Sequence, residues 1–323
     1  MMEFGRQYVL QIGEDDDAII INNLRIAFSF SHTHDKTSNT GTITIYNLSR
    51  NTVNNILTGY KDHRYQQVTL SVGYGDLNDV RLLFKGQLTN TVANKAGATG
   101  QVSNPAASGG NTSSSQSSKA NSSSNVDSTL VLTCDDGGAA SRDAVVNTSL
   151  VAGSRHSDII KVCAATMPGI LPGLLGIAND VILPRGRVCY GMTRHLLTQI
   201  ASHHDADWSI QHGYLMLLQC DYVRPDPAIV LSQMTGMIGA PKKVKDGYEV
   251  TCLLRPEIMI GSLVRLDSMN DSYDGEYKVV GIKSDGDTHS ALWKSTVELK
   301  NVSTTNNGKF LPASSPKAKG GKA

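Results

Sequence analysis

Apolar and polar residues alternate at both ends of this chain and give way to helical spacing in the middle. In QQVTLSVG (Gln66 to Gly73), Val68, Leu70 and Val72 alternate with Thr69 and Ser71, the pattern of a strand with one face in a core. The same period predicts strands at Tyr8 to Ile12, Ile19 to Ile21, Leu24 to Ser31, Thr42 to Tyr46, Val80 to Ala93 and Ser128 to Cys134. The turn-rich YGDLND joins the strand at Gln66 to Gly73 to the one at Val80 to Ala93. GTITIYNLSRNTVNNIL switches period midway: a β-branched strand ends at Tyr46, Asn47 makes a turn, and Ser49 caps a short helix over Arg50 to Leu57.

Helical spacing governs the middle of the chain. SDIIKVCAATM (Ser157 to Met167) sets Ile159, Ile160, Cys163 and Ala164 on one face, with Ser157 as its cap. GMTRHLLTQIASH (Gly191 to His203) does the same with Met192, Leu196, Leu197 and Ile200, with Thr193 placed to cap. Trp208 to Ile210 and Tyr214 to Leu218 read as a hairpin through Gln211, His212 and Gly213. After a proline-rich stretch at Asp221 to Pro227, strand patterning returns at Tyr248 to Leu254, Ser262 to Leu266, Glu276 to Ser284 and Leu292 to Leu299.

The two β parts share an order of events. TITIYNL, a crossover, VTLSVGY, LLFKGQLTNTV and STLVLTC are matched by YEVTCLL, the crossover RPEIMIG, SLVRLDS, EYKVVGIKSDG and WKSTVEL. This suggests two copies of one small β domain flanking an α/β unit. The expected fold is therefore mainly β with an α+β insertion: a β domain over 1–150, a small α/β domain over 151–220 and a second β domain over 221–303. Residues 95–126, rich in Ser, Gly and Asn, bury too little to fold and are expected to form a disordered loop, either a hairpin tip or an interdomain linker. The polar tail at 304–323 is expected to be disordered as well.

Composition narrows the chemistry. Among 323 residues, 40% are hydrophobic, enough for real cores, while a formal net charge of +1 provides no global field toward nucleic acid or membrane. Lys242, Lys243 and Lys245, before a turn, and the KAKGGKA tail are the only local basic runs, which argues against sequence-specific nucleic-acid binding. No stretch of about 18 apolar residues is present, and the N-terminus lacks the apolar core of a signal peptide, so a protein made in a cytoplasm without membrane insertion is expected. Cys134, Cys163, Cys189, Cys220 and Cys252 are scattered singly, the pattern of buried free thiols rather than of a disulfide framework or zinc ribbon.

Three clusters invite a search for metal or catalytic chemistry. His203, His204, Asp205 and Asp207 form the densest, but neighbouring histidines on a helix point about 100° apart, and a polar helix end accounts for them. His32 and His34 share one face of a strand with no third ligand in view. Glu14, Asp15, Asp16 and Asp17 lack the alternating acids and central glycine of a calcium loop. No nucleophile elbow, P-loop or dinucleotide fingerprint occurs. The sequence therefore singles out no catalytic, cofactor-binding or metal residue, and an assembly component is favoured over an enzyme.

The ordered set of segments resembles one family. IYNLS followed by a short helix, VTLSVGYGD and LLFKGQLTNT is similar to the amino-terminal part of phage baseplate hub proteins of the gp27-like type. HLLTQIASHHDADWSIQHGYLMLL resembles that family's middle region, and LSQMTGMIGAPKKVKDGYEVTCLLRPEIMIGSLVRLDS with GEYKVVGIKSDGDTH resembles its carboxy-terminal barrel. The resemblance covers Leu24 to Leu299. It implies two tail-tube-like β-barrel domains per chain and a homotrimer with six-fold pseudo-symmetry. That ring would join tail-tube and spike proteins in a virion baseplate, surrounding a channel through which DNA passes. No cofactor is implied. The rival readings are a tail-associated peptidoglycan hydrolase and a LysM-like glycan-binding module at Ser157 to Gln219.

Overall fold

The computed structural model describes residues 5–14, 18–62, 66–75, 79–94, 128–177, 179–220, 222–245 and 247–301. The Ser-rich stretch at 95–126, the tail at 304–323 and Asp15 to Asp17 lie outside them.

The first strand set comprises β1 (Arg6–Ile12), β2 (Ile19–Ile21), β3 (Ile26–Thr33), β4 (Asn39–Tyr46), β5 (Gln67–Tyr74), β6 (Arg81–Asn94) and β7 (Thr129–Asp136), with helix α1 (Arg50–Asp62) between β4 and β5. The middle of the chain forms α2 (Gly138–Asp143), β8 (Val145–Leu150), α3 (His156–Ala165), β9 (Leu171–Gly176), β10 (Arg187–Met192), α4 (Thr193–His203), β11 (Ala206–Gln211) and β12 (Tyr214–Gln219). The second set comprises β13 (Ile229–Leu231), β14 (Met237–Val244), β15 (Gly247–Leu253), β16 (Leu263–Leu266), β17 (Gly275–Asp287) and β18 (Trp293–Asn301).

The two sets repeat one pairing order. In the first, β4 pairs with β7, β7 with β6 and β6 with β5; in the second, β15 pairs with β18, β18 with β17 and β17 with β16. The strands before and after this unit extend the match. β3 lies on β4 as β14 lies on β15, and β1 lies on β5 where β13 lies on β16. One difference is that β13 runs parallel to β16 whereas β1 is antiparallel to β5. One register shift coincides as well. β6 slips by one residue against β7 between Leu88 and Asn90, and β17 slips against β18 between Val279 and Gly281.

The sets are not separate sheets. The second half of β17 pairs with β3, Gly281 opposite Thr33 through Asp287 opposite Ala27, so that one 13-stranded sheet runs through both. Packing follows the join. Leu254 and Trp293, from the second set, belong to the core built by Phe28, Phe30, Ile43, Ile45, Leu70, Phe84, Leu130 and Leu132. Trp293 meets Phe28 edge-on at 5.4 Å, and Phe30 stacks on Phe84 at 4.4 Å. A second core gathers Val250, Cys252, Val264, Leu266, Val279, Val297 and Leu299.

The strand-to-helix switch forms as its residues dictate. Asn47 takes φ 57, and Ser49 Oγ accepts the Thr52 N–H at 3.1 Å, while Ile56 carries α1 into the first core. Elsewhere the caps differ from expectation. α3 starts at His156 with Arg155 at its N-cap, and Ser157 instead gives its N–H and hydroxyl to Asp180. Thr193 is the first residue of α4, with Met192 at the N-cap. Short or irregular elements escaped the periodicity altogether: α2, β8, β9, β10, β13 and the edge strand β14. Tyr222 and Val223, within the proline-rich stretch, are buried, and Tyr222 packs with Leu218. Among the described residues no helix is long and apolar enough to cross a membrane.

Candidate functional site

Of the clusters singled out from the sequence, His32, His34 and His204 are buried, His203, Asp205 and Asp207 are exposed, and Asp15 to Asp17 lie outside the described residues. His204 is buried, and its Nε2 lies 2.9 Å from Nδ1 of His156, a residue the sequence did not connect with it. His203 joins them, its ring 5.1 Å from that of His156. Burial, and then the neighbouring imidazoles, hold His156 and His204 below the usual histidine range. Asp205 turns away at φ 49 to begin the hairpin, and Asp207 is exposed on β11. Among the described residues no group of three or more His, Cys, Asp and Glu side chains is placed to hold a metal ion.

His32 and His34 are both buried. The His32 ring lies 5.9 Å from Phe84 and 5.3 Å from His212, which sits in the β11–β12 turn. Burial, then His212, holds His32 down to about 3; burial, then Lys278, holds His34 to about 4. His212 is likewise held to about 4 by burial and by Arg224. All three are neutral wedges at neutral pH. Four of the five cysteines are buried thiols, and burial pushes Cys134 and Cys163 up to about 12. Cys220 departs from the expectation: it is exposed, because it lies just past the end of β12.

What the histidines line is a polar seam under the insertion. Asp136, at the end of β7, accepts the backbone N–H groups of His212 and, at 3.0 Å, of Gly213. Asn39 donates to Ile210 O at 2.8 Å and to Gln211 Oε1 at 3.0 Å, while its own Oδ1 accepts the Thr33 N–H at 2.9 Å. Gln211 in turn donates to Thr33 O at 2.8 Å. The β11–β12 turn is thereby clipped to β3, β4 and β7. Burial pushes the Asp136 carboxyl up to about 7 against the pull of the two N–H groups. Nothing in the local pattern announces Asp136 or Asn39, because the partners they hold in the β11–β12 turn lie more than seventy residues away.

A sugar platform is not formed by the obvious aromatic. Trp208 is buried, and its indole N–H donates to Thr198 Oγ1 at 3.1 Å. The open cleft beside it is lined by Lys36, Arg142, Arg194 and His195, with Arg142 partly engaged by Asp135 at 3.6 Å.

Two strand edges are open among the described residues: β14 ends the sheet path, and the outer half of β6 pairs there with β7 alone, since β5 covers only Arg81 to Gln87. Val92 and Val244, on these two edges, are exposed valines. The sequence placed Val92 in a strand but did not recognise β14, seeing there only the basic run of Lys242, Lys243 and Lys245 before a turn.

The described residues thus form one sheet carried through two like strand sets, with an α/β insertion clipped beneath them. Solved structures similar to this fold include tail proteins and a secretion-system component. A tail protein from Neisseria meningitidis MC58 matches with a TM-score of 0.59 at 11% identity, over 92% of this chain and 97% of that one. The 43 kDa tail protein of prophage MuSo2 from Shewanella oneidensis matches with a TM-score of 0.55 at 11% identity, over 91% and 96%. The E. coli c3393 protein matches with a TM-score of 0.52 at 10% identity, over 95% and 80%; it is described as a type VI secretion component structurally similar to T4 tail proteins gp27 and gp5. No curated protein matches the sequence. The family of baseplate hub gp41 matches residues 110–298, more than half of the chain. The chain belongs to that family, and it is a structural component of a tail baseplate.

Proposed function

We propose that this protein is the hub subunit itself: three copies form a ring that joins the tail tube to the central spike and surrounds the channel through which DNA passes. The observation that carries this is the duplicated pairing order, β4-β7-β6-β5 and β15-β18-β17-β16. Two like units per chain let three chains offer six near-equivalent faces to a six-fold tube and a three-fold arrangement to a spike. In this reading each strand set curls into a tube-like barrel, with boundaries near 1–150 and 221–303, and the α/β unit at 151–220 packs against them. The role is structural rather than enzymatic, in a virion tail assembled in the host cytoplasm, and DNA is passed without sequence-specific contacts.

The test is the solution mass by light scattering, alone and mixed with the tail-tube and spike proteins. A trimer, or a trimer assembled on either partner, is expected. A monomer that joins neither overturns the reading, as does clearing of peptidoglycan by the purified protein.

A further inference from the structure

Matched at their shared bulge, the two strand sets hold one joint made and its twin left open. With Thr89 set against Val280, Thr91 corresponds to Ile282, Val92 to Lys283, Ala93 to Ser284 and Asn94 to Asp285. The rest of the register follows without adjustment. Val68 and Leu70 fall on Val264 and Leu266, and Ile43 and Ile45 fall on Val250 and Cys252, buried in each case. On the edge strands, Ser29, Phe30 and Ser31 of β3 correspond to Lys242, Lys243 and Val244 of β14.

Within the chain, β17 of the second set receives β3 of the first: Lys283 opposite Ser31, Ser284 opposite Phe30 and Asp285 opposite Ser29. The equivalent joint would bring β14 onto the outer half of β6. One chain uses these as two separate edges, and both are exposed where their counterparts are covered. Ser284 and Phe30 are buried where β17 meets β3, whereas their counterparts Ala93 and Lys243 are exposed; Val92 and Val244, like their counterparts Lys283 and Ser31, stand exposed on the other face.

We infer that the β14 edge of one subunit adds to the β6 edge of the next, antiparallel, with Val244 opposite Val92, Lys243 opposite Ala93 and Lys242 opposite Asn94. The two exposed valines then cover each other across the joint, and the open backbone groups of both strands find partners. Two different edges meet, so the contact runs head to tail and closes only as a ring. The lysines and the bulge at Gly239 to Pro241 are the usual guards against indiscriminate edge pairing. They leave the extended positions after Pro241 open to a partner of matching register. The inference rests on the ring reading above and adds to it the surface and register by which copies meet.

Directly opposed residues of antiparallel strands lie about 4.5–5.5 Å apart at Cα, within disulfide reach. The full chain carrying Cys220→Ser, to remove the exposed thiol, and V92C with V244C is oxidised and run without reductant. Covalent dimers and trimers are expected, and the same background with V92C and Ile238→Cys, which is out of register, should give none. A trimer by light scattering that cross-links in neither or equally in both pairs overturns the joint while leaving the ring. A monomer without intermolecular cross-links overturns both. V92D, a change at an exposed position, is expected to lose the trimer while keeping the far-ultraviolet dichroism and a cooperative unfolding transition of a folded chain; a V92D protein that stays trimeric overturns the joint.

Discussion

His32 is an imidazole locked between Phe84 and His212, and its neutrality gives the fold a dependence on pH. Its folded value of about 3 lies far below the usual 6.5, so its contribution is full above pH 6.5 and is lost as pH falls toward 3. His34 and His212, at about 4, act in the same direction. Asp136, raised to about 7 from 3.8, acts in the opposite direction: its contribution is present below pH 3.8 and is lost as pH rises through 7. Three histidines outweigh one carboxyl between pH 6.5 and 4.5, so the protein loses stability on acidification. His32→Phe should flatten that loss by up to about 1.4 kcal/mol per pH unit, read from urea midpoints across the window. A second residue-scale test is Gly247→Ala. An added Cβ would stand 1.8 Å from the Leu299 carbonyl oxygen, a backbone atom held in the β15–β18 ladder. A loss of about 1–3 kcal/mol is expected in chemical denaturation.

At the scale of elements, the β11–β12 turn depends on distant side chains. Asn39 makes three hydrogen bonds, two of them across to Ile210 and Gln211. Asn39→Ala leaves the Thr33 N–H and the Ile210 carbonyl without this partner in a buried place, at a cost of about 1–3 kcal/mol. Hydrogen exchange should quicken at Ile210 to Gly213 and in the first turns of β4, while the Leu263–Leu266 strand keeps its protection. Uniform quickening throughout the chain would contradict a local clip. The elements that the sequence displayed were those with one face in a core and a regular period, such as β5, β7, β15 and α4. β14 was hidden because its extra residues between Ile238 and Lys242 break the alternation, and β9 because Pro172 and Gly173 read as breakers.

For the whole molecule, the β3–β17 joint carries one sheet through both strand sets, so the two are expected to unfold together. Trp293 and Leu254 are shared property, since they come from one set and pack in the core of the other. Trp293→Ala should cost about 3–5 kcal/mol and lower the unfolding midpoint of both sets together. With Trp208→Phe as background, Trp293 fluorescence and far-ultraviolet dichroism are expected to give coincident transitions; separate transitions would show that the sets unfold independently.

Much of this protein was settled locally. Alternation at Val68, Leu70 and Val72 dictates a strand, and the Asn47–Ser49 turn dictates the switch into α1, because backbone sterics and capping act over a few residues. The repeated order of segments carried the duplication and the likeness to a baseplate hub. The tertiary structure alone decided which strand lies against which, and so the join through β3 and β17, the seam at Asn39 and Asp136, and the neutral burial of His32 and His34. Those outcomes rest on contacts between residues up to some 260 positions apart, whose energies are set by packing, desolvation and register rather than by period.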